Sequence, residues 1–490
     1  MILWLLFVPT LAGVLCLALR ADSGRRAVLL SAAIAHIGLT GATWWTLPAP
    51  ALGAWLQLDA PGRVFLSIAS VLFLAAAVYS LSYLRQESHA TQTDIEEGFL
   101  FTNAPEATFT GCLLLFLAAM TLVTCSHHFG LLWVAIEATT LASAPLIYFH
   151  RHHRSLEATW KYLMICSVGI ALALLGNFFL AVAAANPSGD PIPLVLGDLL
   201  QNASRLHATW LKAAFLLLLV GYGTKMGLAP LHTWLPDAHS EAPSVVSALL
   251  SGALLNCAFL GILRAQQVCA AAGLAAFGQE LLVGFGLLSM VVAAIFILGQ
   301  SDYKRMLAYS SVEHMGLLSL GVGLGGAATF GSLLHAVNHS LTKAMLFLVA
   351  GNILTAYQSK STTEVSGVLH VLPYSGALWI VGFLAITGSP PFGLFLSELT
   401  IVKTALDQGR VGVALTAIIF LMVIFVGMTT VVLRMTYGTP AEGLRRPTPR
   451  DESLLSFLPA TALAATVLLL GLYLPPFLSQ ALEEAARALR

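Results

Sequence analysis

The stretch Gly223–Ser244, GTKMGLAPLHTWLPDAHSEAPS, decides the fold, because it lies between the apolar runs 210–222 and 245–263. Lys225 therefore falls inside a predicted membrane helix, where a charged side chain costs at least ~2.5 kcal/mol. Pro230 then removes a backbone donor and interrupts that helix. Interrupted helices at membrane depth are tolerated only where they are buried in protein or line a wet cavity. The pattern indicates an ion site. The alternative is a lysine that reaches the interface from a helix that Pro230 simply ends.

The composition is that of a polytopic membrane protein: 58% of the 490 residues are hydrophobic and only 10% are charged. The formal net charge is zero, which gives no indication of a nucleic-acid partner. The six cysteines form no CxxC motif and no Cys/His cluster, so we predict no metal site and no cofactor in this chain. No GxxxxGK[ST] motif is present, and no catalytic centre is predicted.

Apolar runs of about 20 residues recur and predict an all-α integral membrane fold with about 14 transmembrane helices, which we call spans. The runs lie near residues 1–19, 27–47, 63–84, 108–126, 129–149, 158–185, 208–229, 243–266, 273–299, 304–324, 327–355, 371–389, 411–435 and 455–478. A short apolar piece at 392–406 follows Pro390 and Pro391 and is predicted to complete an interrupted span 12.

The two interruptions, LAPLHTWLP in span 7 and TGSPPFGLFLSE in span 12, predict an inverted repeat. Paired interrupted segments in corresponding halves of a chain are typical of transporters. We expect residues 1–107 to hold spans 1–3, residues 108–270 to form the first unit (spans 4–8), residues 271–436 the second unit (spans 9–13), and residues 437–490 to hold span 14.

The distribution of basic residues predicts the orientation. Even-numbered loops hold little beyond Arg63, Arg205 and Arg410, whereas the odd-numbered loops hold Arg20, Arg25, Arg26, Arg85, Arg151, Arg154, Lys304, Arg305, Lys360, Arg445, Arg446 and Arg450. Because Arg and Lys accumulate on the cytoplasmic side, we expect cytoplasmic odd loops and periplasmic termini in the inner membrane of a prokaryote.

Charged residues inside the spans are the candidate functional groups. Glu137 lies in the apolar segment FGLLWVAIEATTLASAPLIYF, where an isolated carboxylate must titrate or pair. Lys225 is its predicted partner, in a pair that holds and releases a proton; the alternative is an ion pair that only fixes helix packing. Lys161, near the cytoplasmic end of span 6, is a second candidate, although a lysine there can also reach the interface.

Span 11, GSLLHAVNHSLTKAMLFLVAG, places His335, His339 and Lys343 at steps of four residues, and therefore on one face of a helix. A row of titratable groups inside a membrane suits a proton relay, because histidine changes charge near neutral pH. The alternative is a structural histidine that donates to a backbone carbonyl.

Further polar residues complete the set of candidates. Glu398 and Lys403 follow the double proline of span 12, and Glu398, the deeper one, is the candidate terminal carboxylate. His232 and His239 flank the span 7 interruption. Their mixed spacing favours a structural or proton-uptake role over metal ligation. Glu313, beside His314, adds a polar pair in span 10.

Three motifs resemble those of the proton-transporting membrane subunits of respiratory complex I and their sodium/proton antiporter relatives. They are TKMGLAPLHTWLPDAHSEAPSVVSALLSG, SDYKRMLAYSSVEHMG and LHAVNHSLTKAMLFLVAGNI, and the segment IEATTLASAPLIYF is similar to component F of hydrogenase-4-type complexes. The resemblance implies roles in proton transfer for Glu137, Lys161, Lys225, Glu398 and, in span 11, His335, His339 and Lys343. One departure is Asn256, since many relatives carry a lysine at that position of span 8.

The resemblance implies a proton-conducting membrane subunit of a redox-driven complex of the hydrogenase-4 or formate hydrogenlyase type. The expected partners are other membrane subunits and a hydrophilic redox arm with iron–sulfur and nickel–iron or flavin subunits in other chains. Alternatives are a complex I (NADH:quinone oxidoreductase) subunit, a stand-alone sodium/proton antiporter subunit, and a non-conducting membrane anchor for such an arm.

Overall fold

The computed structural model describes residues 1–87, 91–94, 98–185, 191–439 and 452–489. Arg445, Arg446 and Arg450 of the orientation argument lie outside them. Within the described ranges the chain is helical apart from connections and one antiparallel pair of short strands, β1 (Gln92–Thr93) and β2 (Leu100–Phe101). The first helices are α1 (Ile2–Ala18), α2 (Asp22–Trp45), α3 (Ala60–Gln86), α4 (Glu106–Cys125), α5 (Phe129–Ile147), α6 (His153–Ala184), α7 (Leu196–Gln201), α8 (Ala208–Met226), α9 (Trp234–Glu241) and α10 (Ser244–Leu249).

The later helices carry the second half of the candidate residues. They are α11 (Leu255–Ala271), α12 (Ala275–Ile297), α13 (Tyr303–Leu324), α14 (Ala327–Tyr357), α15 (Val368–Val371), α16 (Pro373–Ile386), α17 (Gly393–Asp407), α18 (Val411–Tyr437), α19 (Leu454–Leu472) and α20 (Pro476–Arg487). A π-helical turn, Leu250–Leu254, joins α10 to α11 in one continuous helix of 28 residues.

The predicted all-helical membrane class is confirmed. Among the described residues, 10 helices are long and apolar enough to cross a membrane, and α1 and α16 are shorter apolar helices. Helices satisfy their own backbone hydrogen bonds, which is why they span bilayers. The count of about 14 spans, the inverted repeat and the unit boundaries stay predictions.

The chain leaves helical geometry at both predicted interruptions. The first lies between α8 and α9, where Gly227 ends α8 at a φ of 86°, a left-handed conformation that favours glycine. The Trp234 indole donates to the Thr224 carbonyl at 2.8 Å, and the Ala229 amide donates to Ser289 Oγ at 3.0 Å. Polar backbone groups freed by the interruption are thus bound by protein, as membrane depth requires.

The second interruption, residues 387–392, separates α16 from α17. The Ser389 amide donates to the Leu384 carbonyl at 3.0 Å and so closes the end of α16. Gly388 has a φ of 64°, and a Cβ there would lie 2.0 Å from Glu398 Oε2. A glycine is therefore required at this position for two reasons: it adopts the left-handed conformation of the turn, and it leaves room for the Glu398 carboxyl group.

Helix α14 occupies the middle of the bundle and is buried along most of its length. It packs against helices from both parts of the chain, namely α3, α10, α13, α16, α17, α19 and α20. The row of titratable residues predicted for span 11 is therefore surrounded by protein and does not face lipid.

The last helix is one that the sequence analysis did not identify. Beyond α19, α20 follows Pro475 and presents an apolar stripe, which includes Leu482, to α3 and α14. Its pattern of apolar residues at helical spacing is the signal that identifies such a helix. Glu484 forms an ion pair with Arg63 at 3.4 Å.

Helices α6 and α8 approach so closely that their contact depends on glycine. A Cβ at Gly221 of α8 would lie 2.6 Å from both the Ala173 amide nitrogen and the Gly169 carbonyl oxygen of α6. Both nearest atoms belong to backbone, so neither can move independently of its helix. This contact sets the position of Lys225, one turn further along α8, relative to α6.

We predict that Gly221→Ala separates α6 from α8 and destabilises the subunit, because overpacking in a close contact costs about 1–3 kcal/mol. Gly284→Ala in α12 is the matched control, since a Cβ there meets nothing within 4 Å. That control should be neutral or stabilising by about 0.5–1 kcal/mol. Thermal melting of the solubilised complex measures both, and equal melting temperatures for the two variants would contradict the close contact.

Candidate functional site

Lys225 and Glu137 meet through a hydroxyl group and not directly. Lys225 is fully buried, and its Nζ donates to Thr140 Oγ1 at 2.8 Å. The same hydroxyl donates to Glu137 Oε2 at 3.1 Å. Among the described residues no direct ion pair joins the two charges, so the expected pair is corrected to a bridge through Thr140. A hydroxyl that accepts from the ammonium and donates to the carboxylate can pass a proton between them.

The second acceptor of Lys225 is Tyr162 of α6, which the sequence analysis did not identify. The Lys225 ammonium donates to the Tyr162 hydroxyl at 2.6 Å and lies 4.4 Å from the centre of its ring. That hydroxyl lies 2.6 Å from Ser143 Oγ, which donates in turn to the Thr139 carbonyl at 2.7 Å. The tyrosine is therefore assigned as the donor to Ser143.

Two of the predicted lysines do not reach the buried groups. The Lys161 side chain is 45% exposed and forms ion pairs with Glu157 at 2.7 Å and Asp237 at 2.9 Å. Lys403 is 68% exposed and pairs with Asp407, one turn further along α17. The ion pair of Lys161 with Asp237 connects α6 to α9. The neighbouring residue, Tyr162, is the one whose hydroxyl group lies in the core beside Lys225.

Lys343 is the second fully buried ammonium group. Its Nζ donates to the Leu307 carbonyl at 2.6 Å and to the Ser310 hydroxyl, both on α13. Glu313, one turn further along α13, is buried and interacts electrostatically with Lys343. The predicted candidates Glu313 and Lys343 are thus brought together from two helices.

A pair of histidine side chains extends the series of buried polar groups from α13 toward α17. His314 Nδ1 lies 3.0 Å from His335 Nε2, and His335 Nδ1 lies 2.9 Å from Ser397 Oγ on α17. Because Ser397 donates to the Leu394 carbonyl at 2.8 Å, His335 Nδ1 is assigned as a donor and His335 Nε2 as an acceptor. Hydrogen bonds therefore connect α13, α14 and α17 through two histidines.

Glu398 stands at the far end of this connection. It is buried, and its Oε1 has no hydrogen-bond partner in the described part of the chain. It shares α17 with Ser397 and lies against Gly388 at the span 12 interruption. The interruption therefore provides the space in which a carboxyl group lies inside the bundle.

His339 and His239 are fully buried, and for both the described residues supply no hydrogen-bond partner to either ring nitrogen. The His339 ring lies 5.0 Å from the His314 ring, and the His239 ring stacks on Phe347 at 4.9 Å. Buried polar groups without partners are uncommon and point to water or to exchanging protons. His239, a residue of α9, lies within electrostatic range of Lys343, so it adds α9 to the helices that contribute buried titratable groups.

Asn256 and His232 occupy two further positions beside these groups. Asn256 Nδ2 donates to Ser340 Oγ at 2.6 Å, which places this residue against α14, next to His339. His232 is almost fully buried in the span 7 interruption, with its ring 6.2 Å from that of Tyr309. Neither residue bridges two of the buried charges.

A cavity of about 290 Å³ opens beside α9, and we call it the vestibule. Its titratable lining comes from the odd-numbered loops and adjoining helix ends, and includes Glu87, Asp94, His150, His152, Arg154, Glu241, Lys304 and Lys360. Burial disfavours ionisation of Glu87, but hydrogen bonds from His150 and Asn103 outweigh it and hold the pKa of the Glu87 carboxyl below its usual value. The Glu87 carboxylate is therefore one of the charged groups that line the vestibule.

Lys304 forms the floor of the vestibule. Its buried Nζ donates to the carbonyl groups of Ser240 at 3.0 Å and Ala242 at 2.6 Å, at the end of α9. Glu241, between them in sequence, accepts from Lys360 at 2.8 Å. Lys304, which the sequence analysis used only as a loop charge, lines the vestibule and lies within electrostatic range of His239.

The chain is similar to known proteins in both sequence and structure. A family described as "NADH:quinone oxidoreductase/Mrp antiporter, TM" matches residues 126–429. The hydrogenase-4 component F homolog of Methylacidiphilum infernorum is 35% identical over 86% of this chain and 86% of its own length.

The solved structures share the fold. A chain of the archaeal membrane-bound sulfane sulfur reductase superposes with a TM-score of 0.87 at 20% identity, covering 100% of this chain and 97% of that one. A chain of respiratory complex I from Thermus thermophilus gives 0.76 at 23% identity, covering 96% of this chain and 97% of that one.

The bridge through Thr140 is testable without an activity assay. Hydrogen bonds to charged groups contribute ~1.5–3 kcal/mol, so Thr140→Val should lower the thermal stability of the complex, whereas Thr140→Ser, which keeps the hydroxyl, should not. A double-mutant cycle of Thr140→Val with Glu137→Gln should give a coupling of about 0.5–3 kcal/mol. Strictly additive effects would show that the hydroxyl does not connect the two side chains.

Proposed function

Because the chain belongs to the family of NADH:quinone oxidoreductase and Mrp antiporter membrane subunits, we propose that it is the proton-conducting membrane subunit of a redox-driven complex. The observation that carries this proposal is the buried series of titratable groups. It includes two fully buried lysines, Lys225 and Lys343, whose ammonium groups are bound by hydroxyl groups and a carbonyl and form no direct ion pair among the described residues.

The proposed route through the second half of the chain starts at the vestibule. A proton passes from Lys304 by way of His239 to Lys343, and from there by way of Glu313 to the His314–His335 pair. It reaches Glu398 at the span 12 interruption. The hydrogen bonds of His314 with His335 and of His335 with Ser397 support the last part of this order, since they connect α13 and α14 to α17. Water completes the steps at which no direct hydrogen bond is present.

Lys225 and Glu137 form a second proton store. Protonation of Lys225 disfavours a further positive charge nearby, because charges in a protein interior interact far more strongly than in water. Once the proton that Lys225 passes through Thr140 to Glu137 has left the pair, the net charge of the pair is lower by one, which favours proton uptake at Lys343. This coupling is the means by which one half of the subunit drives the other.

We assign the parent complex to the hydrogenase-4 type, on the basis of the 35% identical relative. Its partners are then other membrane subunits together with a hydrophilic redox arm, and the electron-carrying groups reside in those chains. Copurification and mass spectrometry of the complex distinguish this assignment from a complex I assembly. A nickel–iron protein among the partners supports the first, and a flavin protein that binds NADH supports the second.

We extend the proposal to the architecture of the membrane domain. The interrupted helices α8–α9 and α16–α17 serve as span 7 and span 12 of about 14 spans. Spans 4–8, residues 108–270, and spans 9–13, residues 271–436, form the two inverted units. Each unit then supplies one interruption; the first unit contributes the buried Lys225, and the second contributes the buried Lys304 and Lys343, which fits an arrangement of two linked half-pathways.

The proposed orientation, with odd loops cytoplasmic and both termini periplasmic, has a matched pair of tests. Arg151 lies in an odd loop and Arg205 in an even loop, and both are exposed. We expect an impermeant maleimide to label Arg205→Cys in intact cells and to label Arg151→Cys only after permeabilisation. The native cysteines give little background because five of the six are buried. The opposite labelling pattern would reverse the orientation.

Lys343→Met tests the route, because it keeps the aliphatic stem and removes the titratable amine. We expect it to abolish redox-driven proton uptake by vesicles that contain the intact complex. Lys403→Met is the matched control, since Lys403 is exposed and pairs only with Asp407 among the described residues, and it should keep wild-type uptake.

Uptake is compared at equal amounts of assembled subunit, because removal of one buried charge can destabilise its neighbours by about 3–5 kcal/mol. Normal uptake in Lys343→Met would exclude the proposed route. It would favour the alternative in which the chain only anchors a redox arm to the membrane.

A further inference from the structure

Three residues that are far apart in the sequence converge inside the bundle. His314 of α13, His335 of α14 and Glu398 of α17 each offer one ligand atom, and these atoms all lie within 4.8 Å of one another. All three side chains are buried. No spacing in the sequence indicates this group, since each member comes from a different helix.

The group has free coordination capacity. His314 Nε2 and Glu398 Oε1 are both buried without a hydrogen-bond partner in the described ranges. A buried polar atom without a partner destabilises the folded state, and a bound ion would offset that cost. His335 Nε2, which lies 3.0 Å from His314 Nδ1, is the third nitrogen or oxygen atom that would ligate the ion once the hydrogen bond between the two rings is released.

The charge balance also suits a divalent cation. A buried dication requires compensating negative charge, and Glu398 supplies one carboxylate. Glu313 supplies another, since its Oε2 lies 4.0 Å from His314 Nε2. Ser397 contacts His335 Nδ1 and orients that ring, as partners of metal-binding histidines commonly do.

We infer that His314, His335 and Glu398 form a binding site for a divalent transition-metal ion, with Zn²⁺ as the best match. Two imidazoles and one carboxylate are a ligand set that zinc takes, with a fourth position left for water or a further carboxylate. A bound ion would occupy lone pairs that also accept protons, so Zn²⁺ is expected to inhibit proton uptake. The binding itself does not depend on proton conduction, and either proposal can fail alone.

The test uses the purified intact complex, stripped with a chelator and then titrated with Zn²⁺ against a chromophoric competitor. Wild type should bind one Zn²⁺ per subunit at this site. Glu398→Gln and His335→Gln should each bind that ion about 10–100-fold more weakly. His232→Gln, which removes a buried histidine outside the group, should bind like wild type. Zinc on exposed histidines remains equal in all four proteins and cancels in the comparison.

X-ray absorption at the zinc edge of the wild-type complex provides a readout that needs no variant. Imidazole and carboxylate donors at about 2.0–2.2 Å support the site. A spectrum without imidazole scattering, or equal zinc affinity in wild type and both ligand variants, would overturn it. If one variant fails to assemble, the other variant and the wild-type spectrum still decide.

Discussion

Two fully buried ammonium groups, Lys225 and Lys343, impose the constraint on which the rest of the structure depends. A charge in a low-dielectric interior must be hydrogen-bonded or neutralised. Each amine has two acceptors, Thr140 and Tyr162 for Lys225, and the Leu307 carbonyl and Ser310 for Lys343. These acceptors bind a charged amine and leave it free to lose its proton, which a tight carboxylate partner would oppose.

Interrupted helices allow the remaining polar groups to lie at the same depth. The chain turns at Gly227 beside Lys225 and at Gly388 beside Glu398, and the freed backbone groups are bound by Trp234 and Ser289 at the first turn. Close packing of α6 on α8 and of α14 among its neighbours excludes lipid from the row of histidines. The polar path and the apolar exterior thus arise from one bundle, and the path is suited to move protons.

Much of the candidate site could be predicted because a charge in an apolar run is conspicuous in a sequence. Lys225, Lys343, His335 and Glu398 were identified in this way. Tyr162 was missed because a tyrosine in an apolar run is unremarkable, and because one residue along a helix turns the side chain by about 100°, which directs Lys161 to the surface. Contacts between distant helices, such as those that join His314 to His335 and Glu398, follow from packing that spacing does not encode. The contacts of Thr140 with Lys225 and Glu137, and the position of Lys304 in the vestibule, likewise follow from packing and could not be predicted from sequence spacing.

The proposed route requires Glu398 to gain and lose a proton as the parent complex turns over. Infrared difference spectroscopy of the membrane-embedded complex, recorded as the redox reaction is started, measures this directly. The route predicts a change in the carboxyl C=O band that is lost in Glu398→Gln and moves on exchange into D₂O. Identical difference spectra for wild type and Glu398→Gln would contradict a proton path that ends at this residue.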